Sequence, residues 1–179
     1  VLNNIISGTN ITEIGDITAS DIIPIVSIQS GNWNNPTTWL GGVVPTINNS
    51  ATILNTHNIT LIADANINSL IINTGGTLDL GNNVLSSSAN ISINGNINAT
   101  SGTINLNGTV NQTFLSTNDI IFNNLIVNNS AGININSGVN FQLKGVLTLT
   151  SGVLDVSSTT SFTLISDAIG TAVIDGANN

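Results

Sequence analysis

The sequence predicts an all-β protein, a right-handed parallel β-helix (β-solenoid) of about six to seven coils. Apolar and polar residues alternate over short stretches bounded by Gly, Asn and Ser, which is typical of strands. Ile, Val and Thr are abundant, whereas the residues that favour long surface helices are sparse. Similar short sequence segments also recur about one coil apart. Corresponding apolar residues are spaced accordingly, since Leu70 precedes Ile91 by 21 positions and Leu125 precedes Leu147 by 22.

The chain divides into two regions by the regularity of this pattern. Residues 1–27 are irregular and are predicted to form an N-terminal extension that supplies a strand or lid segment. Residues 28–179 carry the short alternating runs and are predicted to form the parallel β-helix. Short alternating strands also suit a β-sandwich, which is the alternative fold.

A loop at residues 30–45 precedes the regular coils and holds both tryptophans of the chain, Trp33 and Trp39, among Gly, Pro and Asn. A solenoid exposes apolar side chains and unpaired strand edges at its ends, so it needs a cap there. We therefore expect a two-tryptophan capping loop over the first coil. The alternative is a carbohydrate-binding platform, in which exposed Trp33 and Trp39 rings stack on sugars.

After the loop, apolar residues mark the successive strands. Their side chains are expected to form inward columns, while outward Asn, Thr and Ser remain hydrated. Asn suits such a fold because it tolerates tight corners and because stacked Asn side chains can form hydrogen-bonded ladders. The predicted strand anchors, in chain order, are Ile53, Ile59, Leu61, Leu70, Ile72, Leu78, Leu80, Ile91, Ile93, Ile104, Leu106, Leu125, Val127, Ile133, Ile135, Leu147, Leu149, Phe162 and Leu164.

The composition excludes several classes of function. Only 6% of the 179 residues are charged, and the single basic side chain, Lys144, provides no surface for nucleic acid or an anionic membrane. No Cys is present, so disulfides, thiolate zinc ligands and thiol nucleophiles are excluded. The apolar residues form no run near the roughly 18 that a membrane helix needs, so no membrane insertion is expected.

The titratable residues form no recognisable catalytic or metal-binding motif. The nine acids are scattered, so no enzymatic activity, metal or cofactor is predicted. The weaker alternative is a polysaccharide hydrolase or lyase, in which distant acids such as Asp64, Asp79 and Asp155 would meet in one column. The only histidine, His57, is expected to be a turn residue whose ring hydrogen-bonds a neighbouring coil.

One motif runs from Ser30 to about Asp64. It consists of Gly-x-Trp, a second Trp, Gly-Gly, Pro and a turn with His, here Gly31, Trp33, Trp39, Gly41, Gly42, Pro45 and His57. This segment resembles the opening of a β-helix module of large secreted, adhesin-like proteins of Bacteroidetes-type bacteria. A weaker likeness exists to the G8 domain, which shares the Trp, Gly-Gly, Pro opening. The resemblance implies a β-helix on a secreted or cell-surface protein.

The predicted function is that of an extracellular structural module: a rigid β-solenoid stalk, an adhesin or a filament-forming subunit on the cell surface. A carbohydrate-binding module is the alternative, followed by the polysaccharide-cleaving enzyme. The expected partners are other copies or adjacent modules, through the ends of the solenoid, and surface polysaccharide. The open C-terminal edge near residues 162–175 is the expected contact, with residues 1–27 as a complementary strand or lid.

Overall fold

The computed structural model describes residues 23–135, 138–166 and 170–176. These residues form strands and two short 3₁₀ turns, Pro36–Thr38 and Leu40–Gly42. The strands are β1 (Ile23–Val26), β2 (Gly31–Asn32), β3 (Asn49–Ile53), β4 (Asn58–Thr60), β5 (Ala65–Ile67), β6 (Ser69–Ile72), β7 (Thr77–Asp79), β8 (Val84–Ser87), β9 (Ile91–Ile93), β10 (Asn96–Leu106), β11 (Gln112–Ser116), β12 (Ile120–Asn128), β13 (Ile133–Ile135), β14 (Asn140–Leu143), β15 (Val146–Ser151), β16 (Leu154–Asp155), β17 (Ser161–Leu164) and β18 (Val173–Gly176).

The strands of successive turns pair in parallel on three faces of a solenoid. The first face has the order β1-β3-β6-β9-β11-β13-β16. The second has the order β2-β4-β7-β10-β12-β14-β17, and the third β5-β8-β10-β12-β15-β18. Since β10 and β12 turn a corner, each contributes to the second face at its start and to the third at its end. These pairings confirm the predicted parallel β-helix.

The register confirms the repeat that the sequence predicts. Leu70 pairs with Ile91 and Leu125 pairs with Leu147, each one turn further along the solenoid. Three of these side chains are essentially unexposed, and Leu147 is 5% exposed. Because each inward residue lies on the inward residue of the previous turn, the apolar core runs through the described turns without a break.

Five turns of the solenoid are complete, slightly fewer than the expected number of about six to seven. The first turn has β1 and β2, but 3₁₀ turns follow where a strand of the third face would lie. In the last turn β16 has two residues, and β18 is exposed throughout. The end segments still alternate apolar and polar residues, so the sequence pattern counts them as coils. Within the described residues, each has a neighbouring turn on one side only.

The first strand begins before residue 28. β1 pairs with β3 from Ile23 to Val26, so the solenoid includes the end of the stretch 1–27 that the pattern assigns to an extension. Residues 1–22 of that stretch lie outside the described residues. In the described ranges, no helix is long and apolar enough to cross a membrane.

Outward side chains hydrogen-bond from one turn to the next. Asn98 Nδ2 donates to Asp79 Oδ1 at 3.1 Å, and Asn134 Nδ2 donates to Asn111 Oδ1 at 2.8 Å. Other cross-turn bonds join Asn to Ser, Thr or a main-chain oxygen. The expected Asn ladders therefore take a mixed form, in which Asn bridges to several kinds of acceptor.

Candidate functional site at the ends of the solenoid

The loop after β1 crosses the N-terminal end of the solenoid. Ser27 N–H donates to the Thr52 carbonyl of the second turn at 2.9 Å, whereas Ile28 N–H donates to the Thr38 carbonyl at 2.9 Å. Neighbouring residues of an extended chain direct their N–H groups to opposite sides. Thr38 therefore lies on the side of the first turn that faces away from the second.

Trp33 and Trp39 form the interior of this cap. Their ring centroids lie 4.9 Å apart with the planes at 70°, an edge-to-face contact. The Nε1–H of Trp39 donates to the Trp33 carbonyl at 2.6 Å, and the two residues are 1% and 0% exposed. Neither ring presents a face to solvent, so the carbohydrate-stacking platform on Trp33 and Trp39 does not fit the structure, whereas a cap over the first turn does.

His57 joins the first two turns. Its Nδ1 lies 2.8 Å from Ser27 Oγ, which also accepts the Leu54 N–H at 3.0 Å. The Ser27 hydroxyl thus bonds both the His57 ring and the main chain of the second turn. This confirms the prediction that the His57 ring bonds a neighbouring coil. Ser27 has no exposed surface, so the pair is a joint between turns and not an accessible nucleophile with its base.

Two aspartates fix strand ends and turns. Asp119 accepts hydrogen bonds from the Asn140 side chain at 3.0 Å and from its main-chain N–H at 2.9 Å. These bonds hold the pKa of Asp119 below its ordinary value. The main-chain N–H and the hydroxyl of Ser157 likewise lower the pKa of Asp155. Both carboxylates are solvent-exposed and serve the fold locally.

The acids that the enzyme alternative requires do not form one column. Asp79 ends β7 on the second face, Asp155 ends β16 on the first face, and Asp64 precedes β5. In the ranges that the structure describes, no three His, Asp or Glu side chains are grouped as metal ligands. Glu13, Asp16, Asp21 and Asp167 lie outside those ranges.

A shallow cavity of about 300 Å³ lies beside the cap. Trp33, Pro45, Asp64 and Asn66 are among its lining residues. Asp64 Oδ1 already accepts the Val84 N–H at 2.8 Å. The cavity thus contributes a single carboxylate, whereas glycoside hydrolysis uses a pair.

At its C-terminal end, the described part of the solenoid leaves apolar side chains exposed. β16, β17 and β18 each pair with a strand of the preceding turn and, within the described residues, with no strand beyond it. Leu164 continues the column of the buried Leu143, and Ile174 continues that of Leu147. Leu164 is nevertheless 38% exposed and Ile174 55% exposed, since no further turn lies over them within the described residues.

The cap carries exposed apolar residues of its own. Ile28, Leu40 and Val43 are more than half exposed, and residues 23–47 contain no Asp, Glu, Lys, Arg or His. Gly41 and Gly42, both with positive φ, carry the chain between Leu40 and Val43. The sequence reasoning missed this surface because isolated apolar residues in a loop are common and become informative only when their neighbours are known.

In the described residues the two ends of the solenoid thus differ, since a loop caps the first turn and the last turn exposes apolar side chains. No protein family, curated protein or solved structure matches the chain.

Proposed function

We propose that the chain is an extracellular structural module, a rigid β-solenoid rod that belongs to a stalk, adhesin or filament on the cell surface. The observation that carries this proposal is the set of hydrogen-bond partners of the polar side chains. In the described residues they bond within and between turns and do not converge on a ligand, as Asn98 with Asp79 and Asn140 with Asp119 illustrate.

The nearly uncharged surface supports the same proposal. Equivalent positions of successive turns lie about 4.8 Å apart, so a column of like charges would repel itself. Asn, Ser and Thr can occupy such a column without that cost and can bond along it. With one Lys or Arg in the whole chain, the rod also presents few sites to proteases that require a basic residue.

The first test is mechanical. The chain is stretched between two handles attached at its ends, and a load-bearing rod should resist force and lengthen in steps of about one turn, since each turn contacts only its neighbours. A chain that extends smoothly at low force, without steps, would contradict the rod.

The second test is the location. Antibodies raised against the folded chain should label intact cells that produce it. Labelling that requires permeabilised cells would contradict an extracellular role, whatever the mechanical result.

A further inference from the structure

We propose that the gap between residues 44–47 and strand β5 is a docking slot for an extended peptide segment of a partner protein. The docked segment would pair with β5 and supply the strand that the third face lacks in the first turn. The proposal goes beyond the rod function, since it assigns a binding site to the side of the solenoid.

Strand β5 has a free edge. Among the described strands it pairs with β8 alone, whereas β8 has a strand on each side, β5 and β10. The Ile67 carbonyl accepts the Ser88 N–H at 3.1 Å, so the main chain of Ile67 faces β8. Neighbouring residues of an extended chain direct these groups to opposite sides, so the N–H and C=O of Asn66 point away from β8. Neither group has a hydrogen-bond partner in the described part of the chain.

The chain that crosses the third face in the first turn does not close this edge. Residues 44–47 and two residues of β5 line the same cavity of about 300 Å³, and in the described ranges no hydrogen bond joins these two segments. Pro45 has no N–H to donate, and the Thr46 N–H donates to Asn49 Oδ1 at 3.0 Å. The edge of β5 therefore faces an open space where a paired strand would lie.

The main chain at this edge selects an extended peptide as the ligand. The Asn66 N–H would donate to a carbonyl of the docked segment, and the Asn66 carbonyl would accept an N–H two residues further along it, which is the pattern of β-strand addition. The inward side chains of the segment would then lie over Ala65 and Ile67. Ala65 is the small member of a column that continues with Leu85 and Ile104, so there is room for an apolar side chain above it.

Charge restricts the composition of the docked segment. Asp64 is the charged residue among those that line the cavity, and its Oδ1 is held by the Val84 N–H at 2.8 Å. The whole chain has a formal net charge of −8. An acidic segment would therefore be repelled, and a segment with Lys or Arg would be attracted. The partner that fits is a short extended segment of alternating apolar and polar residues, uncharged or basic.

The test is an NMR titration of the full chain with an end-blocked hexapeptide, in which valine and threonine alternate between two terminal lysines. Amide signals of β5 and of residues 44–47 should shift, with weak affinity because few main-chain bonds form. The same peptide with glutamate at both ends should bind at least about threefold more weakly. Equal binding of the two peptides would contradict the charge argument.

Two variants at one position separate the main chain from the side chain. Asn66→Pro removes the free N–H, and proline is tolerated at an edge where the N–H has no partner. It should weaken peptide binding at least about tenfold. Asn66→Thr is the matched control, since it keeps both main-chain groups, and it should bind within about twofold of the wild type. If Asn66→Pro does not fold, Ala65→Leu serves instead, because its larger side chain fills the cavity and should block binding.

Three results would overturn the proposal. Equal loss of binding in Asn66→Thr would mean that the side-chain amide, and not the strand edge, recognises the peptide. Shifts at the same residues with cellotriose, and none with the peptide, would assign the slot to a saccharide. No shift with millimolar peptide would mean that the slot is closed or already filled. All three would leave the rod proposal intact, since its tests do not involve the slot.

Discussion

Among the described residues other than glycine, Thr56 alone has a positive φ, 66°. Because Ile53 pairs with Ile72, Thr56 occupies the position that Gly75, with φ 82°, holds one turn later. A left-handed backbone is costly for a β-branched residue and ordinary for glycine. The corner shape is therefore repeated in both turns, but Thr56 adopts it under strain.

The replacement Thr56→Gly should relieve this strain. We expect the free energy of unfolding to rise by about 0.5–1 kcal/mol, the left-handed penalty of threonine less the extra chain entropy of glycine. Urea denaturation measures the change. Thr60→Gly, in strand β4, is the matched control and should lower stability. A less stable Thr56→Gly variant would contradict the strain argument.

Gln112 is buried at the corner between the third and first faces, and its amide is fully bonded. Its Nε2 donates to the carbonyls of Ser87 at 2.9 Å and Ala89 at 2.8 Å. Its Oε1 accepts the Gly108 N–H at 2.8 Å and Asn129 Nδ2 at 2.9 Å. One side chain thus satisfies buried polar groups on three consecutive passes of the chain.

The replacement Gln112→Leu keeps the volume and removes every one of these bonds. Buried groups left without partners cost about 1–3 kcal/mol each, so we expect a loss of about 2–4 kcal/mol even if some relax. Denaturant melting provides the measurement. Gln142→Leu, at an outward, half-buried position of β14, should change stability by less than about 0.5 kcal/mol. Equal effects of the two replacements would argue against the network.

Asp119 makes stability depend on acid pH. Its folded pKa lies below the ordinary value, so the ionised form stabilises the fold. This contribution is complete above the unfolded pKa of about 4 and is lost as the pH falls through the folded value. Asp119→Asn should therefore flatten the decline of the melting temperature below about pH 4. Asp175→Asn, which removes one negative charge without removing a hydrogen bond in the described part of the chain, is the control for the change in net charge.

At the scale of the element, residue types mark a corner but do not show why a particular residue is needed there. Ser101 and Gly102 lie at the corner of β10, between the residues that pair on the second face and those that pair on the third, and the strand continues through them from Asn96 to Leu106. A Cβ at Gly102 would lie 2.7 Å from Leu80 Cβ and 2.8 Å from the Asn83 carbonyl. The glycine is there because neighbouring turns approach closely, and this reason is visible only in three dimensions.

The cap is the element that most affects the first turns. Trp39→Ala should cost about 3–5 kcal/mol, since it empties a fully buried site over the core. In a solenoid the loss should be local, so hydrogen exchange should accelerate in β1 and β3 more than in β13 and β14. Phe162→Ala, at a half-buried position near the open end, is the control and should cost less. Uniform acceleration along the chain would contradict a local cap.

At the scale of the whole molecule, the fold was more predictable than the sites at its ends. The spacing of Leu70 and Ile91 is a local property of the sequence, and it corresponds to a real pairing. Whether Trp33 stacks on a sugar or closes a core depends on what covers it, and both uses require the same residue in the same kind of loop.

The difference between the two ends predicts a gradient of stability along the axis. Turns near the middle have neighbours on both sides, whereas the last described turn has one neighbour within the described residues and exposes Leu164 and Ile174. In a structure stabilised by nearest neighbours, an uncovered end opens before the interior. Amides of β17 and β18 should therefore exchange fastest among the strands, and those of β9 and β11 slowest, in dilute wild-type protein. Equal protection in all strands would mean that the solenoid unfolds as a single unit, which would contradict the gradient.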